Sequence, residues 1–343
     1  MTHYKSIFKG RLEFGNARSY DKVLKMYQHR VENYYKSDVL LVEEEIFDEK
    51  SYSLSVPRFI TQGSKKSWKN TMSLVEYVAQ FAVSGNFGGW MTEEGKVLHH
   101  GIVEPKSERQ AVQAFLKGRE LIEAKGKEKE AVEAFTEAIQ IHEGHAQAYE
   151  RRGHVNFMLK NYEDAHYDFS KSIDLSKTHP EAYYGRAMVK LAIDKKDFKG
   201  AIADLSEAIK TSIPLQSIYF TARRKRGMYL VEIGELEEAA KDFKFFSNRK
   251  FKPSNPNFNW RRSVLFHYGK TLLALGKLEE ATAAFEASMN LQEGNDNIPN
   301  CDKLYFRAVS LHKAGKRGYR KNFEEAASHG SKDATKYLAD LKK

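Results

Sequence analysis

At 343 residues the chain has room for two average domains, or for a repeat array joined to a smaller globular unit, and can bury a sizeable core. Hydrophobic residues make up 41% and charged residues 30%, which argues for a soluble folded chain over a membrane-embedded or disordered one. The formal charge of +10 is uneven: residues 1–105 carry 14 basic and 13 acidic groups, whereas residues 221–270 carry 12 and 5, a concentration that fits an acidic partner, a phosphate backbone or a solvated face.

One cysteine, Cys301, leaves no disulfide within the chain and no cysteine-based zinc cluster. Met1 to Asn16 lacks the apolar run of a signal peptide, and the apolar stretch Tyr77 to Val83 is interrupted by Gln80. The expected location is the cytoplasm, with no membrane partner.

Residues 1–104 read as a small α+β domain. Phe8, Gly10, Leu12 and Phe14 alternate as in a strand, and Ser19 can cap a helix carrying Val23, Tyr27, Val31 and Tyr34. Val39 to Phe47 and Tyr52 to Ile60 read as two strands around Asp48-Glu-Lys50. Met72, Val75, Val78, Ala79 and Ala82 mark a second helix, and Phe87 to Met91 with Lys96 to Val103 a closing hairpin around Glu94-Gly95. The order is β-α-β-β-α-β, with room for one more strand. It resembles the split βαβ sandwich in element order, which implies no function. Gly85-Asn-Phe-Gly-Gly89 lacks the lysine and following helix of a phosphate cradle and reads as a place where the backbone turns.

From Glu108 onward the sequence repeats itself. Ala131-Val-Glu-Ala-Phe135-Thr-Glu-Ala138-Ile recurs as Ala165 to Ile173, Ala201 to Ile209, Ala239 to Phe243 and Ala281 to Met289. Ahead of each copy runs a second amphipathic segment with a small residue: Gly118, Gly153, Ala187, Gly227, Gly269 and finally Ala308. Small residues at matched places let two helix axes approach to roughly 8–10 Å. Tyr149, Gly153, Tyr162, Ala165, Phe169 and Ile173, with Gly269, Leu278, Ala281 and Phe285, resemble the tetratricopeptide repeat (TPR) family over residues 110–343. That resemblance implies an all-α solenoid at 108–343, a right-handed superhelix of about five and a half helix pairs with a capping helix, whose concave face is built from the first helix of each pair. The period lengthens at Asp194 to Lys199, Ile213 to Ser217 and Arg249 to Asn259, which places loops there.

Arg152, Arg186 and Arg226 each have an aspartate on the second helix of their own unit: Asp168, Asp204 and Asp242. Where the arginine is replaced, by Lys117 or Tyr268, the aspartate is also absent, at Ala134 and Ala284. The three pairs therefore read as ion pairs that set geometry. Within Arg223-Arg224-Lys225-Arg226, consecutive residues point about 100° apart, and Arg224 and Lys225 are the candidates for the concave face, with Arg261, Arg262 and Lys270.

Aligned to the family, the groove is lined by Gln147, Glu150, Arg151, His154, Tyr184, Met188, Arg224, Met228 and Lys270, a mixed surface suited to an extended or helical peptide. The family's carboxylate clamp is not matched: Phe115, Glu150 and His154 stand at its places, with no asparagine pair. His99-His100 and His142 with His145 offer two ligands each, short of a metal site, and no cofactor or nucleophile motif is present. The expected function is a scaffold binding a protein segment, an acidic one, with no catalytic step. Two alternatives stay open: an RNA- or ribosome-associated protein using residues 221–270, and an enzyme with an unrecognised site in residues 1–104.

Overall fold

The computed structural model describes residues 4–291 and 298–340. The chain divides into two compact units, Met1–Gly185 and Arg186–Lys343.

The first unit opens with an antiparallel sheet. Strand β1 (Tyr4–Glu13) pairs with β3 (Ser53–Gly63) on one side and β4 (Ser84–Glu93) on the other; β2 (Phe47–Asp48) extends the β3 edge and β5 (Lys96–Val103) the β4 edge. Because β3 lies between β1 and β2, the strand order is the one a split βαβ requires. Helices α1 (Ala17–Asn33) and α3 (Lys65–Ala79) bury Tyr20, Val23, Tyr27, Met72, Val75 and Val78 against Phe8, Leu12, Leu54 and Phe87.

Local chemistry moves three boundaries from their expected places. Asn16, not Ser19, caps α1, its side-chain oxygen accepting the Ser19 N–H at 2.9 Å. Ser64 caps α3 through the Ser67 N–H, so that helix starts at Lys65. The strand expected at Val39 to Phe47 shrinks to the two residues of β2. Glu43–Ile46 forms a single helical turn, α2, whose N-terminus is favoured by three successive glutamates. The segment before it is pinned instead by side chains: the Tyr27 hydroxyl donates to the Leu41 carbonyl and the Leu40 N–H to Thr71.

The glycines of Gly85 to Gly89 lie within β4 and serve close packing; the turn falls at Glu94-Gly95. At Gly85, φ is +109° and a Cβ would stand 2.0 Å from the Arg11 carbonyl oxygen.

The helices of the first unit then pair: α4 (Gln110–Glu123) with α5 (Glu128–Ile141), and α6 (Ala146–Met158) with α7 (Tyr162–Leu175). Gly118 lets the Phe135 ring against α4, where a Cβ would come within 2.6 Å of it. Helix α8 (Pro180–Ile193) spans the division between units.

In the second unit Arg186 of α8 pairs with α9 (Phe198–Thr211), and α10 (Ser217–Glu232) packs on α11 (Leu236–Ser247). The same pairing joins α12 (Arg261–Ala274) with α13 (Leu278–Met289), and α14 (Asn300–Lys313) with α15 (Tyr319–Ser328); α16 (Lys332–Asp340) covers α15. The inserts expected from the drifting period are the connections after α8, α9 and α11, the last ending in a 3-10 turn at Phe258–Trp260.

Candidate partner-binding surface

The repeat arginines are committed to structure. Arg152 Nη2 lies 2.7 Å from Asp168, Arg186 Nη2 2.7 Å from Asp204, and Arg226 Nε 2.7 Å from Asp242. Each bond joins the two helices of one pair. Two of these arginines also reach the pair before: Arg152 donates to Thr136 and Arg226 to Ser206, each at 3.0 Å. Arg307, which has no aspartate at the matching place, bonds Glu286 on α13 and Asn322 on α15. One side chain thus sets the spacing both within a pair and between neighbouring pairs.

The basic run on α10 divides accordingly. Arg223 joins Arg226 on Asp242 and lies between the Tyr219 and Phe245 rings. Arg224 is only 4% exposed, its guanidinium 4.0 Å from the Trp260 ring centre. Lys225 is half-buried, and burial with the neighbouring Arg224 charge pulls its ammonium below the ordinary lysine value. Around them in the second unit, Arg261 stacks on Phe258 and exposed Lys270 stands 4.9 Å from the Phe306 ring centre. Arg262 is buried, and its carbonyl accepts the Ser288 hydroxyl. Met188 accepts a weak hydrogen bond from the Tyr229 hydroxyl, and Met228 is partly exposed. Arg261 and Lys270 thus each stand over an aromatic ring, while Arg224 and Arg262 are buried.

In the first unit the expected groove residues have different fates. Arg151 and His154 are exposed, Tyr184 is partly buried, and Glu150 is buried and paired with Arg151 at 3.1 Å. Gln147 is buried, and its side-chain oxygen accepts the Gly85 N–H of β4 at 3.0 Å. His142 bonds Glu13 of β1 at 3.0 Å, and Glu13 also accepts from Ser84 and Arg11. These bonds hold the Glu13 carboxyl below the usual carboxylate range despite its burial. His145 caps α6 by accepting the Ala148 N–H and packs on Phe115; burial pushes its imidazole down to about 3, so it is neutral.

Lys9 is buried on the same sheet face, and burial pulls its ammonium to about 8 against the attraction of Glu181. Trp90, on that face, lies beneath His100, ring centres 5.1 Å apart. Among the described residues no three His, Cys, Asp or Glu side chains gather as a metal site, and no helix is long and apolar enough to cross a membrane.

Sequence reasoning missed Trp260, Phe258 and Phe306 as carriers of the cations, and Arg223 as a second ligand of Asp242. Phe258 lies three residues before Arg261 and was open to discovery. The Arg224–Trp260 contact crosses an irregular insert and leaves no periodic trace.

Residues 263–295 match the tetratricopeptide repeat family model. Over 125 residues, 36% of the chain, the sequence is 34% identical to DnaJ homolog subfamily C member 3 of Bos taurus, covering 23% of that protein. It is 31% identical over 113 residues, 29% of the chain, to tetratricopeptide repeat protein 13 of Homo sapiens, covering 13% of it. The chain thus matches less than a quarter of the length of these curated relatives. In fold it is similar to YrrB, a TPR protein described as having an unusual peptide-binding site, with a TM-score of 0.51 at 19% identity over 61% of this chain and 99% of that one.

Proposed function

We propose, for a chain whose residues 263–295 match the tetratricopeptide repeat family, a protein-interaction scaffold that receives an acidic protein segment on the first-helix faces of its second unit. The observation that carries the reading is the sorting of the basic run. Arg223 and Arg226 both bind Asp242, whereas Lys225, Arg261 and Lys270 have no carboxylate within ion-pair distance among the described residues, and Arg261 and Lys270 stand beside aromatic rings.

A carboxylate-rich segment satisfies both features. Its charges meet the lysines and the guanidinium, and its apolar side chains meet Met188, Met228 and the ring faces. No catalytic step belongs to this reading.

The test is a fluorescence titration of a labelled glutamate-rich peptide against the full chain and against Arg261→Glu/Lys270→Glu. The parent binds with an affinity that falls as salt rises, and the double variant binds weaker by about tenfold or more. Equal binding by parent and variant rejects this surface. Preferential binding of single-stranded RNA over the peptide, with a steep salt slope, favours the nucleic-acid alternative.

A further inference from the structure

We propose that the N-terminal domain carries a binding site of its own, a basic and aromatic groove between α1 and α3 that takes single-stranded RNA. The site lies wholly within the first unit and does not depend on the acidic-segment reading, which concerns the second.

Helix α1 commits its apolar stripe to the domain core, where Tyr20, Val23 and Tyr27 are buried. At about 100° per residue, Arg18, Lys22, Lys25 and His29 fall on one stripe opposite to it, and all four are exposed. Arg30 lies between that stripe and α3, its guanidinium 3.4 Å from the Tyr77 ring centre and 5.4 Å from that of Tyr34. Tyr77 meets Phe81 edge-on with ring centres 5.7 Å apart, and Lys22 Nζ stands 5.8 Å from the Phe81 ring centre. Lys22, Lys25, His29, Arg30, Tyr34 and Tyr77 line a groove of about 480 Å³.

The cations of this groove lack partners. Among the described residues none of Lys22, Lys25, His29 and Arg30 has a carboxylate within ion-pair distance; the ion pairs within that domain are Arg11 with Glu13 and Lys66 with Asp38. Asp21 and Glu32, the acidic residues of α1, fall on its flank away from Arg30. Like charges three and four residues apart, as at Arg18, Lys22 and Lys25, destabilise a helix unless an anion covers them. The rings are open as well: Tyr34 is 71% exposed.

Phosphates and bases supply the two complements. A row of cations tracks a phosphate backbone, and exposed rings receive unstacked bases whatever their sequence. The lining side chains are all exposed or partly exposed, so the groove suits a strand running along it better than a small anion, which needs enclosure. A bilayer fits less well, because the apolar face of α1 that would enter it is buried in the core. A duplex offers phosphates but keeps its bases from Tyr34.

Fluorescence anisotropy of a labelled oligouridylate of about ten nucleotides, titrated with the full chain across a salt series, tests the site. The parent should bind, with log affinity falling linearly in log salt. Lys22→Gln/Lys25→Gln should weaken binding by about tenfold or more and flatten that slope by about 1.4, two phosphate contacts at roughly 0.7 each. Tyr34→Ala should weaken binding by about fivefold or more with the slope unchanged, which separates a lost base contact from a lost charge. Both variants should keep the parent's thermal midpoint, since the side chains are exposed. Arg261→Glu/Lys270→Glu should bind the oligonucleotide as the parent does, which keeps this site apart from the surface of the second unit.

No binding by the parent, or equal binding by Lys22→Gln/Lys25→Gln, overturns the proposal. So does a loss confined to Arg261→Glu/Lys270→Glu, which would assign the RNA to the second unit. Unchanged affinity in Tyr34→Ala, or equal affinity for the duplex with oligoadenylate, reduces the groove to a patch for any polyanion and overturns it too.

Discussion

Arg152 Nη2 and Asp168 Oδ1 lie 2.7 Å apart across the two helices of one repeat, and the same guanidinium donates to Thr136 of the repeat before. Asp168 is 1% exposed, and burial pushes its carboxyl up against the pull of Arg152 and Asn156. Desolvation thus offsets much of the attraction, and the pair fixes geometry more than it adds stability.

Cutting the pair on one side is therefore costly, while removing both charges is not. Arg152→Ala should lower stability to urea by about 3–5 kcal/mol, because Asp168 is left charged and buried. Arg152→Met with Asp168→Leu should recover most of that loss. Equal losses in the single and double variants would show that the pair itself stabilises.

The glycine–ring contact supplies a second outcome. A Cβ at Gly227 would stand 2.7 Å from the Phe243 ring. Alanine gains about 1 kcal/mol in helix propensity, and overpacking costs about 1–3 kcal/mol, so Gly227→Ala should destabilise on balance. Gly227→Ala with Phe243→Leu should be milder than Gly227→Ala alone, since the chain itself joins Ala187 with Leu205 at the equivalent places. Thermal unfolding of the three variants decides the order.

His145 gives a pH dependence of definite sign. Its imidazole is held near 3 by burial, below the ordinary histidine value of about 6.5 that applies to the unfolded chain. A histidine with a depressed folded value favours the fold while neutral; its contribution is complete above about 6.5 and is lost as pH falls towards the folded value. His145→Asn keeps an acceptor for the Ala148 N–H and removes the titration. Urea midpoints between roughly pH 7 and pH 4.5, which span the upper part of that loss, should fall more steeply for the parent than for the variant; parallel curves would place the sensitivity elsewhere.

Much of the repeat region was legible because its physics is local. A small residue opposite a ring recurs with the helix pair, and Arg152 with Asp168, Arg186 with Asp204 and Arg226 with Asp242 followed from the joint presence and absence of two residue types. In the N-terminal domain the element order was readable, but Val39 to Phe47 was not: its β-branched residues suggest a strand, whereas bonds from Tyr27 and Thr71, distant in sequence, fix its path. The surface was the least legible. Helical spacing placed Arg224 on the presented face, but only the insert bearing Trp260 puts that guanidinium beneath a ring. Likewise, nothing local to α6 told that Gln147 would accept a bond from β4.

The claim that the second unit presents the docking surface is tested most directly by methyl NMR of the full chain, its methionines labelled, during titration with the glutamate-rich peptide. Met188 and Met228 lie on the proposed surface, whereas Met72 and Met91 are in the core of the N-terminal domain. The account predicts saturable shifts of Met188 and Met228 with Met72 and Met91 unmoved. Shifts confined to Met26 or Met158, or none at any methionine, would contradict it.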